Sequence, residues 1–214
     1  MRIVVVGAAG MVGSRVTAEA ARRGHDITAV VRTDPARTTA SVAPPPGVAV
    51  AVGDAADRDR TTPLFTAADA VVGAVRPAPG REHTVAETTT ALLDAAAASR
   101  TRILLVGGAG ALRSPDGSGR LAVDDPAFVP PRWRAIAMAS VAQLGACRGH
   151  PADWVYLSPP ATLEPGRRTG TYRRGGTTLL TTVDGSWISA EDLAVAVLDE
   201  LERPGGDRHF TVAH

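Results

Sequence analysis

The chain opens on Val4-Val5-Val6-Gly7-Ala8-Ala9-Gly10-Met11-Val12-Gly13, a β-branched run that breaks at a glycine and resumes with helical spacing. No other stretch limits the fold as much. A buried strand that turns at Gly7 and feeds a helix with Val12, Val16, Ala20 and Ala21 on one face, stopped by Gly24, is the first half of a β-α-β unit. The run Asp26–Val31 supplies the second strand. Further β-branched runs follow at Val48–Val52, Ala70–Val75, Ile103–Val106 and Trp154–Leu157, with helical patterns at Thr84–Ser99, Trp133–Cys147 and Ala190–Arg203. Short apolar strands alternating with helices predict an α/β fold, a doubly wound parallel sheet of the Rossmann-like kind with helices on both faces. At 214 residues this is one domain, spanning 1–214.

Two segments depart from the alternation. Residues 159–185 are rich in Gly, Thr and Arg, with short strands expected at Thr169–Arg173 and Thr177–Val183. They form either a small cap over the carboxyl edge of the sheet or a plain surface hairpin. Arg113–Pro131, with four prolines and with glycines at Gly117 and Gly119, reads as a mobile loop after the fifth strand, at the edge where ligands bind such sheets.

Charge excludes some partners. The chain has 23 basic and 22 acidic side chains, so nothing global draws it to nucleic acid or to an anionic membrane. The longest uncharged run, Thr38–Gly53, holds three prolines and is shorter than the ~20 residues of a membrane helix. Ala18-Glu19-Ala20 loosely mimics a secretion-signal cleavage site, but the apolar strip before it is better used as a buried strand. Cys147 is the sole cysteine, which forbids an internal disulfide or a zinc cluster. The expectation is a cytoplasmic protein that uses no metal, with the oligomeric state left open.

Binding must then come from a local site. Gly7 allows a tight turn, Gly10 lets a diphosphate approach the backbone, and Gly13 lets helix and strand pack closely. Ala9, Met11 and Val12 complete the turn, and unpaired amides at the helix start favour an anion. This predicts a dinucleotide. At the end of the second strand, where an acidic residue would hold a ribose hydroxyl, stands Arg32. A guanidinium suits a 2′-phosphate, so NADP(H) is expected ahead of NAD(H), although Asp26 and Asp34 lie nearby.

The GxxGxxG spacing resembles the short-chain dehydrogenase/reductase superfamily, particularly its atypical NmrA-like members. Ile103–Leu112, Asp153–Pro159, Arg168–Arg173 and Ile188–Asp192 resemble the bacterial NADH-flavin reductase-like proteins, a group related to biliverdin reductase B. These segments occur in the family's order and span nearly the whole chain. The resemblance implies that Gly53 and Asp54 lie near the adenine, Asp54 alternatively capping the next helix. It also implies that Ala74 and Val75 lie beneath the coenzyme, and it adds Ser158 and Pro159 to the coenzyme set. Gly107 and Gly108 leave room for a planar acceptor beside the nicotinamide, and Trp133 or Tyr172 offers a stacking face. Arg113, with Arg167, Arg168, Arg173 and Arg174, is placed to receive an acidic or phosphorylated acceptor such as FMN. His83 is a candidate proton donor or a helix-capping residue.

One absence decides the chemistry. All 23 basic residues are arginine, so the Tyr-x-x-x-Lys pair of most superfamily dehydrogenases cannot form. The only tyrosines are Tyr156 and Tyr172, Gly107-Gly108-Ala109 replaces the usual serine, and Trp133-Arg134 stands where relatives often carry Tyr-Lys. Hydride transfer to a flavin or another planar conjugated acceptor survives this loss, because such a ring delocalises the electrons and takes its proton from water. Biliverdin reductase B places a histidine after the sixth strand's proline, whereas this chain has Pro159-Pro160-Ala161. Two other readings stay open: a non-catalytic NADP-sensing regulator of the NmrA-like kind, and a specialised-metabolite reductase or isomerase.

Overall fold

The structure, a computed structural model, describes residues 1–32 and 44–214. Strand β1 (Arg2–Val6) leads into helix α1 (Met11–Arg22), then β2 (Asp26–Val31), β3 (Ala49–Val52), α2 (Arg58–Thr66) and β4 (Ala70–Gly73). Helix α3 (Val85–Ser99), β5 (Arg102–Val106), α4 (Arg134–Cys147) and β6 (Trp154–Ser158) follow. The remainder comprises β7 (Thr162–Glu164), β8 (Arg173–Gly175), β9 (Trp187–Ser189), α5 (Ala190–Glu202) and β10 (His209–Ala213). Eight strands make one sheet in the order β3-β2-β1-β4-β5-β6-β10-β8, parallel except for β8, which runs antiparallel to β10. Strands β7 and β9 pair separately.

The expected doubly wound α/β fold is therefore present, and its strands read as continuous apolar runs because both faces are covered. Ile3, Val5, Val31, Leu104 and Leu157 meet Val16 and Ala20 of α1 and Leu193 and Val197 of α5. On the opposite face Val4, Val71, Ile103 and Leu105 meet Phe65 of α2, Leu92 and Leu93 of α3, and Leu144 of α4. Strand order reverses between β1 and β4, and the crevice at their carboxyl ends is where sheets of this kind bind ligands.

Four expectations need correction. Helix α2 was not anticipated: Pro63 lies inside it and only Thr61 and Phe65 are buried, so it carries little apolar periodicity. Strand β10 was also missed, although Phe210 and Val212 alternate with His209 and Thr211 as a half-legible strand pattern. Residues 159–185 do not form a free hairpin, and Thr177 and Leu179 bond through their backbone to Arg113, past the carboxyl end of β5. The segment runs along α5, with Thr169 and Gly170 donating to the Asp192 carboxylate, and reaches the sheet edge as Arg173–Gly175 instead of the two expected strands. The segment Arg113–Pro131 is pinned in place. Arg113 N donates to Thr177 O at 2.8 Å, Leu179 N to Arg113 O at 2.9 Å, and the buried Ser114 hydroxyl to Asp125 at 2.7 Å.

The contact between α1 and α5 is closed by charge. Glu19, 4% exposed, accepts from Arg22, Arg23 and Arg168, while Arg23 also donates to Asp199 and Glu202 at 2.8 Å. Burial alone would raise the Glu19 pKa, but these three guanidinium groups outweigh it and hold the carboxyl down at about 2.

Candidate functional site

The turn after β1 is built from backbone alone. Gly7 sits at φ +85°, with its N–H donating to Val30 O at 3.1 Å. A Cβ there would lie 2.4 Å from the Ala74 carbonyl oxygen, and one on Gly13 only 2.2 Å from Gly7 O. Close approach of β1, β4 and α1 thus requires glycine at both positions. Gly10 differs: its φ is −76°, and a Cβ would meet only Gly7 O at 3.2 Å and Ala74 O at 3.9 Å. Gly10 is the N-cap of α1 and no side chain caps the helix. Ser14 N is the first helix amide to bond back, to Gly10 O at 2.9 Å, so the amides of Met11, Val12 and Gly13 lack intrahelical partners. Ala9, Gly10 and Met11 are exposed. An uncapped helix start with a side-chain-free approach fits the diphosphate of a dinucleotide.

The other expected coenzyme residues border this turn. Arg32 is exposed directly after β2, whereas Asp34 falls outside the described residues. Gly53 N donates to Val31 O at 2.9 Å, and the exposed Asp54 accepts from Ala56 N at 3.0 Å. Helix α2 is capped by Asp57, which accepts from Arg60 N, so the capping role considered for Asp54 is overturned. Ala74 N donates to Val6 O at 2.9 Å, and Ala74 and Val75, the two residues after β4, are half-buried beside the glycine turn. Ser158 and Pro159 are buried at the end of β6, where the Ser158 hydroxyl lies 3.0 Å from His209 Nε2. Burial, and to a lesser extent Arg148, lower the His209 pKa to about 4, so its imidazole is neutral at ordinary pH.

The residues assigned to the acceptor scatter. On the side where a Cβ would stand, Gly107 and Gly108 are packed against protein. A Cβ on Gly107 would lie 1.9 Å from the Tyr156 hydroxyl, one on Gly108 3.1 Å from Ser140 Cβ, and one on Gly110 2.4 Å from Ala137 O. Their missing side chains let α4 and Tyr156 close on β5. The Tyr156 oxygen sits 3.0 Å from Ser140 O and 3.0 Å from Gln143 Oε1, and burial pushes its pKa far up. Tyr172 is also misplaced by the sequence reading. Its hydroxyl donates to Asp199 at 2.7 Å, and Asp199 pairs with Arg23 at the far end of α1. A 12-residue helix spans about 18 Å, which sets the scale of the separation between this hydroxyl and the diphosphate turn. Burial, then Asp199, raise the Tyr172 pKa.

Trp133, in contrast, stands 49% exposed at the start of α4, and Met138, five residues further, is 43% exposed. Arg113 is exposed but turns back, donating to Gly119 O at 3.1 Å. His83 is exposed in a short 3-10 turn, Glu82–Thr84, before α3. No group of three or more His, Cys, Asp or Glu side chains among the described residues is arranged to hold a metal ion. An open groove of about 510 Å³ lies at the opposite, amino edge of the sheet, lined by Arg2, Asp26, Thr28 and Pro63, and takes no part in this site.

A parallel sheet with a switch point between β1 and β4, and an uncapped glycine turn opening a helix there, define a dinucleotide-binding Rossmann-like protein. Comparison makes this specific: residues 7–204 match the NAD(P)H-binding family, and the chain belongs to it. It is 36% identical to the uncharacterised protein YwnB of Bacillus subtilis, over 99% of this chain and 98% of that protein. Among solved structures it is similar to a Burkholderia pseudomallei protein provisionally called exported (34% identity, TM-score 0.85, all of both chains). Another, from Bacteroides thetaiotaomicron and provisionally called an epimerase, is 32% identical with a TM-score of 0.86 over 100% of this chain and 96% of that one. A third, from Streptococcus pneumoniae and provisionally called an NADH-flavin reductase, is 27% identical with a TM-score of 0.85 over 100% and 99%. No helix among the described residues is long and apolar enough to cross a membrane.

Proposed function

We propose that this protein is an NADP(H)-dependent oxidoreductase whose acceptor is a flavin or another planar conjugated molecule. The observation that carries the coenzyme part is the exposed, uncapped turn at Gly10, where backbone amides point at a space that no side chain fills. Gly7, Gly10 and Gly13, with the amides of Met11 and Val12, would hold the diphosphate. Arg32 would take the 2′-phosphate through its planar fork. Gly53 and Asp54 would border the adenine, and Ala74, Val75, Ser158 and Pro159 the floor of the site. When bound, the reduced nicotinamide supplies a hydride.

The acceptor class rests on what the chain withholds. Neither phenol is available: Tyr156 is sealed under Gly107 against Ser140 and Gln143, and Tyr172 is committed to Asp199. The sequence has no lysine to activate either one. An acceptor that needs a proton from a positioned tyrosine is therefore disfavoured, and one that draws it from solvent is favoured. Trp133 offers an exposed aromatic face at the start of α4 for such a ring. The buried, unpaired thiol of Cys147 suits a reducing cytoplasm.

Oxidation of NADPH followed at steady state with FMN, FAD and quinones tests the reading, and turnover with at least one is expected. Tight NADPH binding with no turnover on any of them would overturn the enzyme assignment and leave a coenzyme sensor.

A further inference from the structure

Of the five arginines expected to receive an acidic acceptor, four are engaged elsewhere. Arg113 curls back to Gly119 O, Arg168 binds Glu19, Arg173 donates to the His214 carbonyl, and Arg174 pairs with Glu200 and Asp207. Three other arginines border the carboxyl edge and are exposed: Arg76, Arg81 and Arg132.

Their placement follows from the packing of α4. Gly108 and Gly110, just past β5, abut Ser140 and Ala137, so those two residues lie level with the sheet edge. The chain before them, Pro131 to Ala135, is exposed throughout and stands about one helical turn, ~5 Å, above that edge. Arg132 belongs to this raised segment, with its guanidinium carbon 5.9 Å from the Trp133 ring centroid. Arg81 immediately precedes the 3-10 turn Glu82–Thr84, which packs against α4. Arg76 lies two residues beyond Ala74, whose carbonyl closes on Gly7.

Most carboxylates of the same region are paired elsewhere: Asp124 with Arg134, and Asp116 and Asp125 with Arg120. Glu82, held by Gly80 N beside Arg81, and Glu87 on the first turn of α3 are the two that oppose the three arginines. Three exposed arginines against two carboxylates leave these segments net positive, with an exposed indole among them. A planar molecule with an acidic substituent matches both features.

We propose that the acceptor carries a phosphate, carboxylate or sulfonate beside its ring system, and that Arg81 and Arg132 bind this group while Trp133 meets the ring. Arg76 adds charge nearer the diphosphate turn. The inference rests on the preceding reading that an acceptor binds at this edge, but its test reads binding instead of turnover.

The full chain saturated with NADP⁺ is titrated calorimetrically with two matched pairs, FMN against riboflavin and anthraquinone-2-sulfonate against 2-(hydroxymethyl)anthraquinone. In at least one pair the anion is expected to bind roughly tenfold tighter, with the advantage shrinking as salt is raised. Arg81→Ala/Arg132→Ala should reduce the anion to the affinity of its neutral partner while leaving that partner and NADP⁺ unchanged. Arg81→Lys/Arg132→Lys should restore most of the difference. Equal binding within both pairs overturns the inference, as does a double variant that weakens charged and neutral members alike. An anion preference without NADPH oxidation would instead sink the oxidoreductase reading and leave this one standing.

Discussion

Two glycine-rich turns leave the same edge of the sheet, one after β1 at Gly7–Gly13 and one after β5 at Gly107–Gly110, and they do opposite things. At the first, Gly10 is exposed, only two backbone oxygens border its Cβ position, and the helix it starts is uncapped. At the second, the corresponding space is taken by Tyr156, Ser140 and Ala137. A missing side chain makes room, and the rest of the fold decides whether a ligand or the protein itself fills it.

The contrast breaks most readily at Gly107. Gly107→Ala drives a methyl into the Tyr156 ring, whose nearest three atoms would lie at 1.9, 2.0 and 2.5 Å. A loss of about 3 kcal/mol is expected by chemical denaturation, the upper range for overpacking. Adding Tyr156→Ala should recover part of it in a double-mutant cycle. Simple additivity would show that Tyr156 is not what fills this space.

Gly10→Ala is the mirror experiment. Its backbone is ordinary and its Cβ is only moderately crowded, so stability should fall by no more than about 1 kcal/mol. NADPH affinity should fall about a hundredfold, because the methyl occupies the approach to the amides. A variant that melts as the parent does and still binds NADPH would remove the diphosphate assignment.

Arg32→Ala sharpens the open turn further, weakening NADPH about tenfold while changing NADH little. Equal losses for both coenzymes would defeat the 2′-phosphate role. At Tyr172 the expected effect is smaller. Tyr172→Phe should cost about 1 kcal/mol through the lost bond to Asp199 and leave the kinetics unaltered, whereas a kinetic defect would return this residue to the acceptor site.

The last prediction concerns pH and is the smallest near neutrality. His209 has its pKa lowered from 6.5 to about 4, so the folded state binds fewer protons than the unfolded chain across that window. Stability should decline as pH falls from about 6.5 towards 4, and His209→Gln should flatten that decline. Glu19 adds a second loss at lower pH, from its ordinary value of 4.5 down to about 2, as its carboxylate protonates among three arginines.

Much of this molecule is visible in local pattern. The strands at Arg2–Val6 and Asp26–Val31 fall where the apolar runs place them, and helix α5 starts on its Ser189 cap. Helix α2 escaped because its only strong signal is the Asp57 cap, and Pro63 counts against a helix on any local reading. Tyr172 and the arginines Arg168, Arg173 and Arg174 were assigned to the wrong place for a different reason. Nothing within a few residues of them reveals that their partners are Asp199, Glu19, His214 and Glu200.

The sequence by itself determined the alternating α/β architecture, the glycine turn that opens α1, and the lack of any lysine. Each depends on neighbouring residues or on composition alone. Only the tertiary structure decided that Tyr156 and Ser140 pack against Gly107 and Gly108, that both tyrosine hydroxyls have partners of their own, and which arginines are paired. Those outcomes depend on side chains brought together from distant parts of the chain, whose contacts no local periodicity records.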